Sequence, residues 1–188
     1  MGFLSMDQVA SMGFRRVGKE VKISDKAVFY GIDRISIGDF SRIDDFCVVS
    51  AGEEGIEIGR YVHIAVYCSL IGKKLIKLED FSGLSSRVAV YSSSDDYSGR
   101  YMTNPTVPVE LTHVDHRPVI VRRHGLVGVG STILPGVTIE KGAAVGAYSL
   151  VVRDIPESVI AVGVPAKPVK NRYLDLFDLE NAIIENEK

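Results

Sequence analysis

Four histidines and one pair of adjacent carboxylates carry most of the chemistry open to this 188-residue chain. His63 stands in VHIAVYC, at the last place of a six-residue repeat unit, which turns its side chain outward. An imidazole exchanges a proton near neutral pH, so an outward His63 is a candidate general base or substrate ligand. Asp95, Asp96 and Tyr97 adjoin in SSSDDYSG. Two carboxylates can orient a protonated imidazole or accept hydrogen bonds from hydroxyls, although the same residue types also build turns. A lone carboxylate is a weak base at neutral pH unless desolvation raises its pKa, so an Asp–His pair is the better catalytic unit. His113 and His116 lie three residues apart in THVDHRP, and Asn104-Pro105-Thr106 forms a proline-stiffened tip before them. Tyr97, Asn104, Thr106 and His116 are therefore candidate substrate contacts, beside the catalytic candidates His63, Asp95 and Asp96. His124 is expected to face outward near Val129, as a cofactor or catalytic contact.

A repeat positions these residues. From Val121 to Pro156 the chain divides into hexads that begin with Val121, Val127, Ile133, Ile139, Val145 and Val151. Their fifth places hold Gly125, Ser131, Val137, Ala143, Ser149 and Ile155. A six-residue period fits neither a helix nor a solenoid of helix pairs. It suits short straight segments joined by corners, with the first residue inward and the fifth in a tight corner. Earlier hexads are less regular. Ile37 and Ile43 are echoed by Ile58 and Ile64, then by Leu78 and Leu84, with inserts near Ala51-Gly-Glu-Glu-Gly and Gly72-Lys-Lys. Three hexads per turn predict a triangular, all-β parallel coil whose strands pair with the turns above and below. Cys47 and Cys68 hold the same place in successive turns, and are expected as an inner ladder of small residues rather than nucleophiles.

The expected layout is one domain over 1–188: an N-terminal cap with a short helix capped by Ser5 over 1–20, a coil over 21–169, and a helix over 170–188. A long loop of about 92–118 leaves the coil at the corner that holds the inserts. The net charge of −2 and the mixing of signs argue against nucleic acid or a polybasic membrane anchor. No apolar run is long enough to span a bilayer, and no secretory leader is expected. Two cysteines without CxxC spacing suit a reducing cytoplasm.

The repeats, with ILPGVTI at 133–139, VVRDIP at 151–156 and VGVPAKPVK at 162–170, resemble the hexapeptide-repeat acyltransferases. Within that family they are most similar to the galactoside, maltose and polysaccharide O-acetyltransferases. The resemblance implies a left-handed parallel β-helix, a homotrimer, and acetyl-CoA lying between neighbouring coils. It assigns cofactor contacts to Val129, Ala147, Val152 and Arg153, and CoA phosphates to Lys167 and Lys170. The implied activity is acetyl transfer to a sugar hydroxyl by direct attack with a general base, with no metal and no membrane insertion. The family's loop histidine aligns with Asp95, and an asparagine that contacts the acceptor aligns with Ala65. The main alternative is N-acetylation of a nucleotide-linked aminosugar. Many such enzymes carry an additional N-terminal domain, for which there is no room before Ile23. A non-catalytic trimeric scaffold is a third reading. The three-histidine zinc site of a γ-type carbonic anhydrase fits the spacing of His63 and the later histidines poorly.

Overall fold

A computed structural model describes residues 2–186. The inward hexad residues make the core: Val121, Val127, Ile133, Ile139, Val145 and Val151 are buried, as are their counterparts Ile37, Ile43, Ile58, Ile64, Leu78 and Leu84. Each such side chain contributes about 1.5–3 kcal/mol when fully buried. No single turn could bury its apolar face without the turns on either side.

The chain is a left-handed parallel β-helix with three walls. The first wall stacks Arg16–Val17, Ile35–Ile37, Ile56–Ile58, Ile76–Leu78, Val119–Val121 and Thr138–Ile139. The second stacks Lys22–Ile23, Arg42–Ile43, His63–Ile64, Gly83–Leu84, Leu126–Val127, Ala144–Val145 and Val159–Gly163, closed by the antiparallel strand Ala166–Asn171. The third stacks Val28–Tyr30, Val48–Ala51, Ser69–Gly72, Ala89–Tyr91, Thr132–Ile133 and Leu150–Val151. Equivalent hexad places lie one above another, so the side chains of each wall form columns.

The corners hold non-glycine residues in the left-handed region: φ is 59° at Phe40, 55° at Tyr61, 58° at Phe81 and 59° at His124. That conformation costs a residue with a side chain on the order of 1–3 kcal/mol. Stacking between successive turns offsets it. Ring centroids are 4.8 Å apart for Phe40–Tyr61, 4.9 Å for Tyr61–Phe81 and 5.1 Å for Phe81–His124. Lys19, Arg60 and Arg123 lie over the column as cations. Cys47 and Cys68 form the expected inner ladder, both buried, with Sγ 3.0 Å from the Ala65 carbonyl and 3.1 Å from the Ser85 carbonyl respectively. The hydrogen bond to Cys47, together with burial, pushes the Cys68 thiol up, away from nucleophilic reactivity.

Both ends depart from the expected boundaries. Helix α1 (Met6–Ser11) has the Ser5 cap, with Ser5 and Gln8 forming a reciprocal capping box. The first coil strand, however, already begins at Arg16, inside the stretch assigned to the cap. At the other end, Lys170 belongs to a strand that covers the open edge of Val159–Gly163, and helix α2 spans Asp175–Asn186. Glu187 and Lys188, assigned to that helix, lie outside the described residues. α2 is not docked through a broad apolar stripe, since Leu179 is 70% exposed. Phe177 meets His124 edge-on at 5.0 Å, and buried Glu180 binds His124 and Arg123. Among the described residues no helix is long and apolar enough to cross a membrane.

Candidate active site

The long loop leaves the third wall after Tyr91 and rejoins the first wall at Val119. Its root is closed by the antiparallel pairing of Ser93–Ser94 with Asp115–His116. Ser93 Oγ accepts the Lys73 amide proton at 2.9 Å and stands 2.7 Å from His116 Nδ1. The Ser93 hydroxyl thus links the Lys73 amide to the His116 ring across the loop root. His116 is therefore a fastener of the loop root.

Beyond the root, Asp95, Asp96, Tyr97, Tyr101, Met102 and Asn104 line a cleft of about 570 Å³. Asp96 accepts the Ser98 amide proton at 2.6 Å and faces His113 Nδ1 at 3.7 Å. Bonds from Ser98 hold its carboxyl below the usual range. His113 stacks on Tyr101 at 4.8 Å. Asn104 Oδ1 accepts from the Thr106 amide at 3.0 Å and the Thr106 hydroxyl at 2.6 Å, so these two side chains stabilise their own turn. Asp95 differs from Asp96. Its residue is exposed, and among the described residues no hydrogen bond or ion pair reaches its carboxylate. Tyr97 is 92% exposed.

His63 stands elsewhere, on the outer face of the second wall. Its Nε2 is 2.9 Å from Oδ2 of Asp44, whose Oδ1 accepts from Arg42 Nε at 2.6 Å. The Asp–His pair expected from the sequence thus exists, with Asp44 rather than Asp95 as its acid. The register of the wall puts His63 in a column with Lys22 and Arg42 below, and Gly83, Leu126, Ala144 and Ile160 above. Gly83 needs no glycine for its fold. A Cβ built there would find nothing nearer than Leu126 Cδ1 at 3.6 Å, whereas a Cβ on Gly128 or Gly146 would come within 2.6 and 2.5 Å of the next turn. The missing side chain leaves a clearing between a charged lower half and an apolar upper half of the wall.

The six residues assigned to a cofactor fall in two groups. Val129 and Ala147 stack at the corner between the second and third walls, where the Tyr148 amide donates to the Val129 carbonyl at 2.8 Å. Lys167 and Lys170 lie just above them, exposed, in register with Val162 and Ile160. Val152 and Arg153 are exposed beyond the third wall. Exposed Leu126, Val162 and Val164 add apolar surface around the first group.

His124 does not face outward. Only 11% of its side chain is exposed; it lies between Phe81 and Phe177 with Nε2 2.6 Å from Glu180 Oε2. Burial, then the charges of Arg123, Arg172 and Lys141, push its pKa down to about 4. The left-handed corner that its hexad place demands swings the ring onto the aromatic column. Among the described residues no group of three or more His, Cys, Asp or Glu is placed to hold a metal. A larger hollow of about 800 Å³ on the first wall holds none of the candidates; it is lined by charges of alternating sign, including Lys77 and Glu57 paired at 3.3 Å. Arg42, Asp44 and Gly83 were missed from the sequence, although the turn spacing of 21 and 20 residues around His63 would have found Arg42 and Gly83.

Comparison with known proteins finds acyltransferases, on amine and on hydroxyl acceptors. No protein-family model matches the chain. A dTDP-4-amino-4,6-dideoxy-D-glucose acyltransferase from Escherichia coli is 51% identical over 181 residues, covering 96% of this chain and 94% of that protein. AntD, an N-acyltransferase from Bacillus cereus, is 40% identical; a mutant solved with dTDP-4-amino-4,6-dideoxyglucose and coenzyme A matches at a TM-score of 0.94, over 98% of this chain and 97% of that one. AntD solved with dTDP and 3-hydroxybutyryl-CoA matches at 0.93 over the same shares.

Proposed function

The chain belongs to the hexapeptide-repeat acyltransferases, and from that premise we propose that it acylates the amino group of a dTDP-linked 4-amino-4,6-dideoxyhexose, using acyl-CoA. The hydroxyl acceptor expected first thus yields to the amine that stood as its alternative. The E. coli aminosugar acyltransferase is matched over 94% of its own length, so the short stretch before Ile23 does not favour a hydroxyl over an amine.

The observation that carries the reading is Asp95, an unengaged carboxylate in the loop cleft, at the place to which the resemblance to the O-acetyltransferases assigns a histidine. A sugar hydroxyl is a poor nucleophile and needs a base of imidazole strength as attack begins. An amine attacks a thioester unaided once it is neutral, and the nitrogen proton becomes strongly acidic as the C–N bond forms. A carboxylate suffices to take it, and it also attracts the ammonium form of the acceptor. In the proposed step the amine nitrogen adds to the thioester carbonyl and the C–S bond breaks. The proton passes from nitrogen by way of Asp95 to the departing thiolate, giving an amide and free CoA.

The acyl-CoA arm lies along Val129, Ala147 and the apolar upper half of the second wall, with Lys167 and Lys170 on its phosphates. Val152 and Arg153 serve the same cofactor from the third wall of an adjoining protomer. Asp95 and the second wall belong to different sides of one protomer, so the reading requires a homotrimer in which one protomer's loop meets its neighbour's wall. Asp95→Asn tests the assignment. A thiol-release assay with the dTDP-aminosugar should show kcat/KM lowered by about 10²–10⁴-fold with CoA binding intact; an active Asp95→Asn enzyme contradicts it.

A further inference from the structure

The lower half of the second wall contains a buried carboxylate that holds two basic side chains in place. Only 6% of the Asp44 side chain is exposed, against 41% for Arg42 and 53% for His63. Burying a carboxylate is costly unless it is paired and hydrogen-bonded, and Asp44 has both partners, at 2.6 and 2.9 Å. The Arg42 guanidinium is further fixed over the Phe3 ring, 5.1 Å from its centroid. Exposed Lys22 lies next in register below Arg42. Asp45, next to Asp44 in the chain, is engaged by Ser24 at 2.5 Å and Lys26 at 3.3 Å. Lys22, Arg42 and His63 therefore form a column of basic side chains on the outer face of the wall, two of them held by Asp44.

We propose that this column binds the diphosphate of a nucleoside-diphosphate-linked acceptor, with Asp44 as the positioning residue that presents Arg42 and His63 to it. The acceptor class rests on the function proposed above; the anion subsite rests on the wall. Arg42 offers a rigid charged fork suited to phosphate oxygens, and His63 presents Nδ1 while Asp44 engages Nε2. Neighbouring strands are about 4.8 Å apart, so a diphosphate over Arg42 and His63 places the attached hexose over the next position up. That position is Gly83, the one place on this column where a side chain is missing without a packing reason. Beyond it begins the apolar surface of Leu126 and Ala144. The two substrates then approach from opposite ends of one wall and meet above the clearing. His63 acts as a phosphate ligand in this arrangement and not as the base.

Isothermal titration calorimetry with dTDP and with thymidine, in the absence of acyl-CoA, tests the subsite on the full chain. The wild-type protein should bind dTDP far more tightly than thymidine. Arg42→Met and His63→Gln should each weaken dTDP at least about tenfold, leaving thymidine and CoA binding unchanged. In turnover they should raise KM for the nucleotide sugar more than they lower kcat. Asp44→Asn should weaken dTDP similarly; should that variant fail to fold, the two exposed substitutions still decide the matter. Equal dTDP affinity in wild type and a folded Arg42→Met protein overturns the proposal, as does a wild type that does not distinguish dTDP from thymidine. Tight dTDP binding lost in Arg42→Met, with no acylation of any aminosugar, would uphold the subsite and reject the function.

Discussion

Replacing Gly83 by valine separates folding from function more cleanly than any other change on the second wall. Gly83 opens a strand, its φ lies outside the left-handed region, and the first atoms that a Cβ would meet are Leu126 Cδ1 at 3.6 Å and the His63 carbonyl at 4.0 Å. Those are ordinary van der Waals distances. Glycine inside a strand costs roughly 0.5–1 kcal/mol relative to alanine, and a β-branched residue suits the pleat further. Gly83→Val should therefore leave stability unchanged or raise it by about 1 kcal/mol, a gain of ~2–4 °C in Tm for a chain of this size. The isopropyl group would nevertheless fill the clearing over which the hexose is proposed to lie. A displacement of about 1 Å from productive alignment costs on the order of 10² in rate, and a larger group displaces more. The checks are a thermal melt and thiol release with the dTDP-aminosugar. A stable Gly83→Val protein with wild-type kcat/KM would refute the placement of the acceptor. A Tm lowered by several degrees would refute the reading of the space around Gly83.

Three further outcomes follow from the same structure. His124 is held neutral, with a pKa depressed to about 4, so its contribution to docking α2 is complete above the unfolded value of 6.5 and is lost as pH falls from 6.5 toward 4. Hydrogen exchange in 175–186 should accelerate on acidification before the coil itself opens. Lys167→Glu with Lys170→Glu should raise KM for acyl-CoA severalfold and remove most of its salt dependence, while dTDP affinity stays constant. Ser93→Ala removes the bond to His116 Nδ1 at 2.7 Å and should loosen the loop root by about 1 kcal/mol, read as faster exchange across 93–116 with an unchanged coil.

The coil was legible because the hexad is a direct image of its geometry. An aliphatic first place and a small fifth place state which residues face inward, and Val121 through Val151 do so. The excursion loop was legible as the place where the period fails. The ends were harder. Nothing in the apolar spacing of Leu174, Phe177 and Leu179 reveals that Ala166–Asn171 first pairs with an open strand edge, or that α2 is then anchored by Glu180. His124 was misplaced for a similar reason, since its hexad place says "corner" and not which way a left-handed corner turns the ring. Site residues were legible only where they broke a pattern. His63 was found as a polar residue on an apolar strand, but its acid Asp44 lies 19 residues earlier and is joined to it only by stacking of turns. The hydroxyl acceptor came from the resemblance to the O-acetyltransferases, whose loop histidine aligns with Asp95; under the proposed function the carboxylate at that place serves an amine instead.

The central claim is that the acceptor nucleophile is an amine on a dTDP-linked sugar. It is tested most directly by comparing kcat/KM for dTDP-4-amino-4,6-dideoxyglucose with that for the same nucleotide sugar carrying a 4-hydroxyl, at fixed acyl-CoA, with the product identified by mass and by its amide or ester linkage. The account predicts an amide and a preference for the amine on the order of 10² or more. An ester as the major product, or equal turnover of the two acceptors, would contradict it.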